Sequence, residues 1–226
     1  MRMKKRVYPV LQAIFFPMMW FFIKRTVGLE NLPKKGPYII ACKHISSLDG
    51  FFLATVIIPY VNKKVRFIAS VKRWGYIWET LVAKKWAGVI QFFIEDRRKC
   101  LTDARTYLEN GEIIGLFPEG YLSEYERNSK GKTGAARLAL WTRVPIVPVG
   151  FNCGITVKNH VPVLYQFWKA VRNGLKNPHS LEMNFGKPFE CTEFYDQEIT
   201  EEVLHRATDK IINEIEALTH VNNINI

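Results

Sequence analysis

Paired cysteines are missing from this sequence. Its four cysteines, Cys42, Cys100, Cys153 and Cys191, stand far apart with no C-x-x-C pair. That pattern argues against a zinc ribbon, a thioredoxin-type site and a disulfide-stapled scaffold, and it fits a reducing compartment. There is no G-x-S-x-G elbow, which argues against a serine α/β-hydrolase. There is also no H-E-x-x-H or paired Cys/His set, so no metal site is expected. Gly131-Lys132-Thr133 repeats the end of a Walker A loop, but Glu126 occupies the place of the loop's first glycine, and the match is read as coincidence. Acidic residues are scarce in the first 100 positions, which hold 19 Lys/Arg against 5 Asp/Glu, for +14; the remainder carries −3. No repeat, low-complexity tract or interdomain linker is present.

What is present begins with a chain of 226 residues, long enough for one large domain or one domain with an appendage at roughly 150 residues per domain. Its basic N-terminal part implies an anionic partner, and the residues between the charges choose which one. Arg2, Lys4, Lys5 and Arg6 precede an uncharged run over residues 7–23, rich in Phe, Met and Trp, which Lys24 and Arg25 close. Nucleic acid does not require such a run, so an anionic membrane surface is the expected partner and nucleic acid is not. As a helix the run would reach about 26 Å, short of the roughly 30 Å hydrocarbon core, and Pro17 interrupts it. A shallow or re-entrant membrane-associated helix over residues 1–25 is expected, at the cytoplasmic face of the cell membrane, with a single α/β domain over 26–226; a full span, if the flanking lysines snorkel, and a buried core helix are the alternatives. Trp74, Tyr76, Trp78 and Trp86, interleaved with Lys72, Arg73, Lys84 and Lys85, suit the same headgroup zone.

Past Pro33, short apolar runs alternate with helical patterns, the arrangement of an α/β domain whose mixed sheet is flanked by helices. Strands are predicted at 38–42, 65–70, 89–94, 113–117, 146–151 and 181–185. Helices are predicted at 51–58, at 98–109 with an Asn110-Gly111 stop, and at 201–218, where Leu204, Ala207, Ile211, Ile215 and Leu218 share one stripe.

In sheets of this class the chemistry gathers at the carboxyl ends of strands. KHISSLDG, residues 43–50, follows the first predicted strand. Its spacing lets Asp49 fold back onto His44, a pair that makes a general base, with Ser46 or Ser47 as a helix cap. The same spacing also suits a turn histidine with Asp49 as a simple cap. FPEGYLSE, residues 117–124, follows a second strand and projects Glu119 at the same edge.

KHISSLDG, the basic pair Arg97-Arg98, FPEG, GKTGAARLAL (131–140) and VPIVPVG (144–150) occur in that order. Over about residues 26–190 the set resembles the 1-acylglycerol-phosphate acyltransferase family. The resemblance implies a glycerolphosphate-acyltransferase-like domain. It would move a fatty acyl group from an acyl thioester, acyl-CoA or acyl carrier protein, to the free hydroxyl of a lysophospholipid, with no further cofactor and no acyl-enzyme. It makes His44 the base, Asp49 its orienting partner, Arg97 or Arg98 a contact to the acceptor phosphate, Glu119 and Gly120 the shapers of the acceptor site, and Lys132 a further positive charge. VPIVPVG would help form the face for the acyl donor. One departure stands out: where members commonly read FPEG-Thr-Arg-Ser, this chain has Tyr121 and Leu122, and leucine offers neither donor nor charge. Either Arg127, Lys130 or Lys132 compensates, or the acceptor is not lysophosphatidic acid. A lipid hydrolase built on the same His-Asp pair and a noncatalytic lipid-binding protein are the remaining readings.

Overall fold

The computed structural model describes residues 8–45, 48–69, 87–93, 95–120, 131–153, 172, 175–176 and 178–219. Among these residues the architecture is a seven-stranded mixed sheet covered by helices on both faces. A π-helical turn at Leu11–Phe15 leads into α1 (Phe16–Trp20), followed by β1 (Ile23–Val27), β2 (Tyr38–Cys42), α2 (Asp49–Val61), β3 (Val65–Ala69) and β4 (Ile90–Gln91). Next come α3 (Arg97–Glu109), β5 (Ile113–Leu116), α4 (Gly134–Thr142), β6 (Ile146–Cys153), β7 (Leu181–Phe185) and α5 (Glu201–Thr219). The strand order is β1-β7-β6-β2-β5-β3-β4. From β6 to β4 every pairing is parallel, whereas β7 runs antiparallel to β6 and carries β1 beside it in its own direction.

Sequence pattern accounts for these elements directly. The central strand β2, Tyr-Ile-Ile-Ala-Cys, is buried at all five positions, as a parallel strand covered on both faces must be. Its alternation divides the core. Tyr38, Ile40 and Cys42 join α1, α2 and strands β5 to β7 in one cluster, and Ile39 and Ala41 join α3, α4 and α5 in the other. Ile39 and Ile40 are fully buried on opposite faces, and each contributes about 1.5–3 kcal/mol by leaving water. Helix α3 buries Cys100, Ala104 and Leu108 and ends at Asn110, with Gly111 in the left-handed region at φ +78° as its stop signal requires. Helix α5 buries Leu204, Ala207, Ile211 and Ile215 along the expected stripe.

The N-terminal run departs from the expectation of one helix over 7–23. Helical structure ends at Trp20, and Ile23–Val27 becomes an edge strand whose partner β7 lies more than 150 residues away in sequence, so the division expected at residue 25 falls inside β1. Lys24 and Arg25, read as the closing charges of a membrane helix, are on that strand and pair with Glu182 of β7 at 3.0 and 3.3 Å. No helix among the described residues is long and apolar enough to cross a membrane. Helix α1 buries Phe16 and Met19, while Val10, Ile14, Met18 and Phe21 remain exposed, Ile14 by 71%. The basic residues at positions 2–6 and the aromatic cluster of Trp74, Tyr76, Trp78 and Trp86 lie outside the described residues.

Candidate active site

All the parallel strands present their carboxyl ends at one edge, and each helix that follows such a strand begins there. Helix α2 follows β2, α3 follows β4, and α4 follows β5. The polar motifs are therefore collected by topology. Lys43 prolongs β2 by one rung, its amide donating to the Val149 carbonyl at 3.1 Å. His44 and Ile45 turn the chain, and Asp49 opens α2 with only 1% of its surface exposed.

Asp49 does not cap its own helix: Leu48 is at the N-cap with no side-chain bond, and Ser46 and Ser47 lie outside the described residues. The carboxylate points back into the loop instead. Its Oδ2 accepts from the Ile45 amide at 2.7 Å and lies 2.9 Å from His44 Nδ1. Asp49 is thus a buried partner of the imidazole and not a side-chain cap. A buried carboxylate at Nδ1 favours the tautomer with the proton on Nδ1, leaving Nε2 with a lone pair, and it stabilises the imidazolium formed when Nε2 takes a proton. The ring is about one-fifth exposed and stacks on Phe117, with centroids 4.2 Å apart and planes 21° apart, so its swing is restricted.

Phe117 begins the second motif. After it the Pro118-Glu119-Gly120 turn closes with the Gly120 amide donating to the Phe117 carbonyl at 3.0 Å, and Gly120 adopts φ +70°. The Glu119 carboxylate faces back toward β2 and pairs with Lys43 at 3.3 Å. Burial pushes the Glu119 carboxyl above its usual value; the Lys43 ammonium and the nearby His44 amide pull it back. The Lys132 amide donates to the Pro118 carbonyl at 2.7 Å, and its side chain crosses Gly120 so closely that a Cβ on Gly120 would come within 2.6 Å of the lysine Cγ. Gly131, next to it, faces α5, where a Cβ would meet Ile212 at 2.2 Å, so the glycine of the GKT triplet serves packing.

Arg97 and Arg98 are exposed in the first turn of α3. That helix follows β4, three strands from β2 and thus about 14 Å across the sheet, whereas α4 and Lys132 follow β5, the immediate neighbour of β2. His44, Asp49, Glu119, Gly120 and Lys132 accordingly form one constellation, and the arginine pair stands to its side at the same edge. Tyr121, Leu122, Arg127 and Lys130 lie outside the described residues.

Comparison with known proteins identifies the family. A family model described as "Acyltransferase" matches residues 7–152, well over half of the chain. The chain belongs to the acyltransferase family. Among curated relatives of this family, the 1-acyl-sn-glycerol-3-phosphate acyltransferase of Bacillus subtilis is 29% identical over 131 residues, covering 54% of this chain and 59% of the relative. The enzyme of the same name from Borreliella burgdorferi is 28% identical over 156 residues, covering 63% and 61%. A chloroplastic one from Brassica napus is 31% identical over 128 residues, covering 54% and 35%. The chain therefore spans less than two thirds of the length of these relatives. The crystal structure of PlsC, the 1-acyl-sn-glycerophosphate acyltransferase from Thermotoga maritima, shares the fold with a TM-score of 0.57 at 19% identity, covering 92% of this chain and 76% of that one.

Within this acyltransferase framework two neighbours of the His44 loop, Lys43 and Phe117, carry no local signal in the sequence. Lys43 is the first residue of KHISSLDG, and alternation from Ile39 and Ala41 assigns it to the opposite sheet face from Cys42, but nothing local names its partner. Phe117 read as the last residue of a strand, and its stacking on His44 is a tertiary fact with no local signal. Cys42, buried beneath the loop, is pushed well above the usual thiol range by burial first, then by the charges of Asp49 and Glu119, and so remains an unreactive thiol. His179 is a satisfied histidine, its Nδ1 3.1 Å from the Ile23 carbonyl.

Proposed function

We propose that this chain transfers a fatty acyl group from an acyl thioester to the free hydroxyl of a lysophospholipid, most simply lysophosphatidic acid to give phosphatidic acid. The 2.9 Å contact of His44 Nδ1 with Asp49, at the carboxyl edge of a parallel sheet, carries the reading. The acceptor hydroxyl gives its proton to His44 Nε2 as its oxygen attacks the thioester carbonyl. The tetrahedral intermediate then collapses, the carbon–sulfur bond breaks, and the leaving thiolate takes the proton back from the imidazolium. Asp49 stays ionised throughout, and no residue is acylated. The names of the relatives support the acceptor class. The co-substrate is acyl-CoA or acyl carrier protein, with no metal or further cofactor.

Acceptor phosphate suits the cations at this edge. Lys132 stands over Gly120, beside the base. Helix α3 opens with the exposed Arg97, Arg98 and Lys99, and the Asp96 carboxylate caps it by accepting from the Lys99 amide at 3.1 Å, so three cations stand at this end against one capping carboxylate. Leu122, where the family commonly has arginine, favours a second reading in which the acceptor has a different headgroup.

Membrane association at the cytoplasmic face is the second part of the proposal. Val10, Ile14, Met18 and Phe21 recur at helical spacing on the exposed side of the N-terminal helix, and the 12 residues Pro9 to Trp20 span about 18 Å. That suits a helix lying in the interface with its apolar face in lipid. The test is labelled acyl-CoA and acyl carrier protein offered to the purified protein with a panel of lysolipids. Product is identified by mass spectrometry, and free thiol is followed with and without acceptor. Thiol release that ignores the acceptor would favour a hydrolase, and binding without release a noncatalytic lipid-binding protein.

A further inference from the structure

The FPEG turn and the loop carrying the base touch at two adjacent points, the stack of Phe117 on His44 and the ion pair of Glu119 with Lys43. The second contact involves a residue to which the proposed reaction assigns nothing. Lys43 is held at both ends. Its amide is bonded to β6, and its ammonium, on a side chain only 19% exposed, lies 3.3 Å from Glu119 Oε1. Glu119 is equally enclosed at 16%, and its second oxygen, Oε2, is buried with no hydrogen-bond partner among the described residues. A shielded ion pair is weak evidence for stability, since desolvation offsets much of the attraction. A lysine directly before the base therefore asks for a role in position.

We propose that Lys43 is a positioning residue for acyl transfer: its ammonium ties the FPEG turn to the loop of His44 and fixes the Glu119 carboxylate with Oε2 directed to a polar group of the acceptor. The proposal rests on the acyltransferase reading for its reaction but not for its electrostatics. The charged and titratable groups facing Glu119 are Lys43 at the end of β2, His44 on the same loop, Asp49 at the start of α2 behind it, the Cys42 thiol beneath, and Lys132 crossing Gly120 ahead of α4. Burial disfavours a charged Glu119, and Lys43 is the nearest positive charge opposing that effect. Without it the carboxyl would hold its proton to higher pH, and a carboxylic acid is a poorer acceptor than a carboxylate.

Two measurements on the full chain test this. The first follows the Glu119 side-chain carbon by NMR with labelled glutamate, the signal being assigned by its loss in Glu119→Gln. Its titration midpoint should move up in Lys43→Met and stay near wild type in Lys43→Arg. The second is the pH profile of kcat/KM. The loss in Lys43→Met should be at least about fivefold greater at pH 6 than at pH 8, and Lys43→Arg should restore most of the rate. A loss that is uniform with pH would mean that Lys43 only supports the fold, and an unmoved midpoint in Lys43→Met would overturn the proposal whatever the rates. A midpoint that moves in a protein transferring no acyl group would uphold the ion-pair coupling and refute the reaction instead.

Discussion

Replacing Asp49 by asparagine separates the charge at the base from its shape. The side chains match in size, and the retained amide oxygen can still accept from Ile45, now bonded at 2.7 Å, so the loop should fold. What disappears is the negative charge 2.9 Å from Nδ1 when His44 becomes an imidazolium. A lower bound is the difference between a charge-assisted and a neutral hydrogen bond, about 1.4 kcal/mol or tenfold. An upper bound is the attraction of two unit charges about 4 Å apart at an effective dielectric near 20, about 4 kcal/mol or nearly 10³-fold. If the amide instead turns its NH₂ toward the ring, it selects the tautomer with the proton on Nε2 and removes the base, which also falls toward the upper bound. The assay is thiol release from acyl-CoA at saturating lysolipid, with a thermal melt to confirm folding. A fall in kcat between these bounds, with KM changed little, is expected. An Asp49→Asn enzyme within about twofold of wild type would refute the general-base assignment.

Other outcomes follow from the same geometry. Lys132→Ala should lower kcat/KM for a phosphate-bearing lysolipid by about 10- to 100-fold and spare an uncharged acceptor; Arg97→Ala should act in the same direction if the phosphate extends toward α3, and equal losses on both acceptors would assign either residue to folding or the donor. Gly120→Ala should lower the melting temperature and raise KM, because φ +70° is strained for alanine and the new methyl displaces Lys132; an unchanged KM would place the acceptor elsewhere. Ile14→Glu with Met18→Glu should abolish sedimentation with anionic vesicles, whereas high salt should release little of the wild type; complete release by salt would show a purely electrostatic contact. At Glu182, burial opposes ionisation, but Lys24 and Arg25 together hold the carboxyl below its usual value of 4.5. The stability from that depression is present above the unfolded value and lost as pH falls through the folded one, so wild type should lose more melting temperature than Glu182→Gln on acidification below about pH 4.5.

Much of the fold could be read locally where one physical signal dominated. The strands β2 and β7 match their predicted bounds because their apolar runs are short and bounded by turn signals, and α3 and α5 fall within one residue of theirs because their stripes repeat at helical spacing. Strand β1 could not be read, since Ile23 looks like the end of an apolar run and Lys24-Arg25 like its stop; only pairing with β7 makes it a strand. The predicted strand at 89–94 shrinks to Ile90–Gln91, which pairs with β3 at two positions at the edge of the sheet. The spacing of His44 and Asp49 foretold their contact, because both lie on one short connection between a strand and a helix. The partners Lys43 and Phe117 were hidden, since each is chosen by an element far away in sequence. Arg97 followed from motif order, but only the strand order reveals that Lys132 emerges closer to the base.

The measurement that bears most directly on the whole account is mass-spectrometric analysis of product from the purified wild-type chain and its His44→Ala variant, each given lysophosphatidic acid with acyl-CoA or acyl carrier protein. The account predicts phosphatidic acid and stoichiometric free thiol from the wild type. In the variant it predicts a rate lower by at least about 10²-fold with lysolipid binding retained. Equal product from both proteins, or thiol release without acylated lipid, would contradict it.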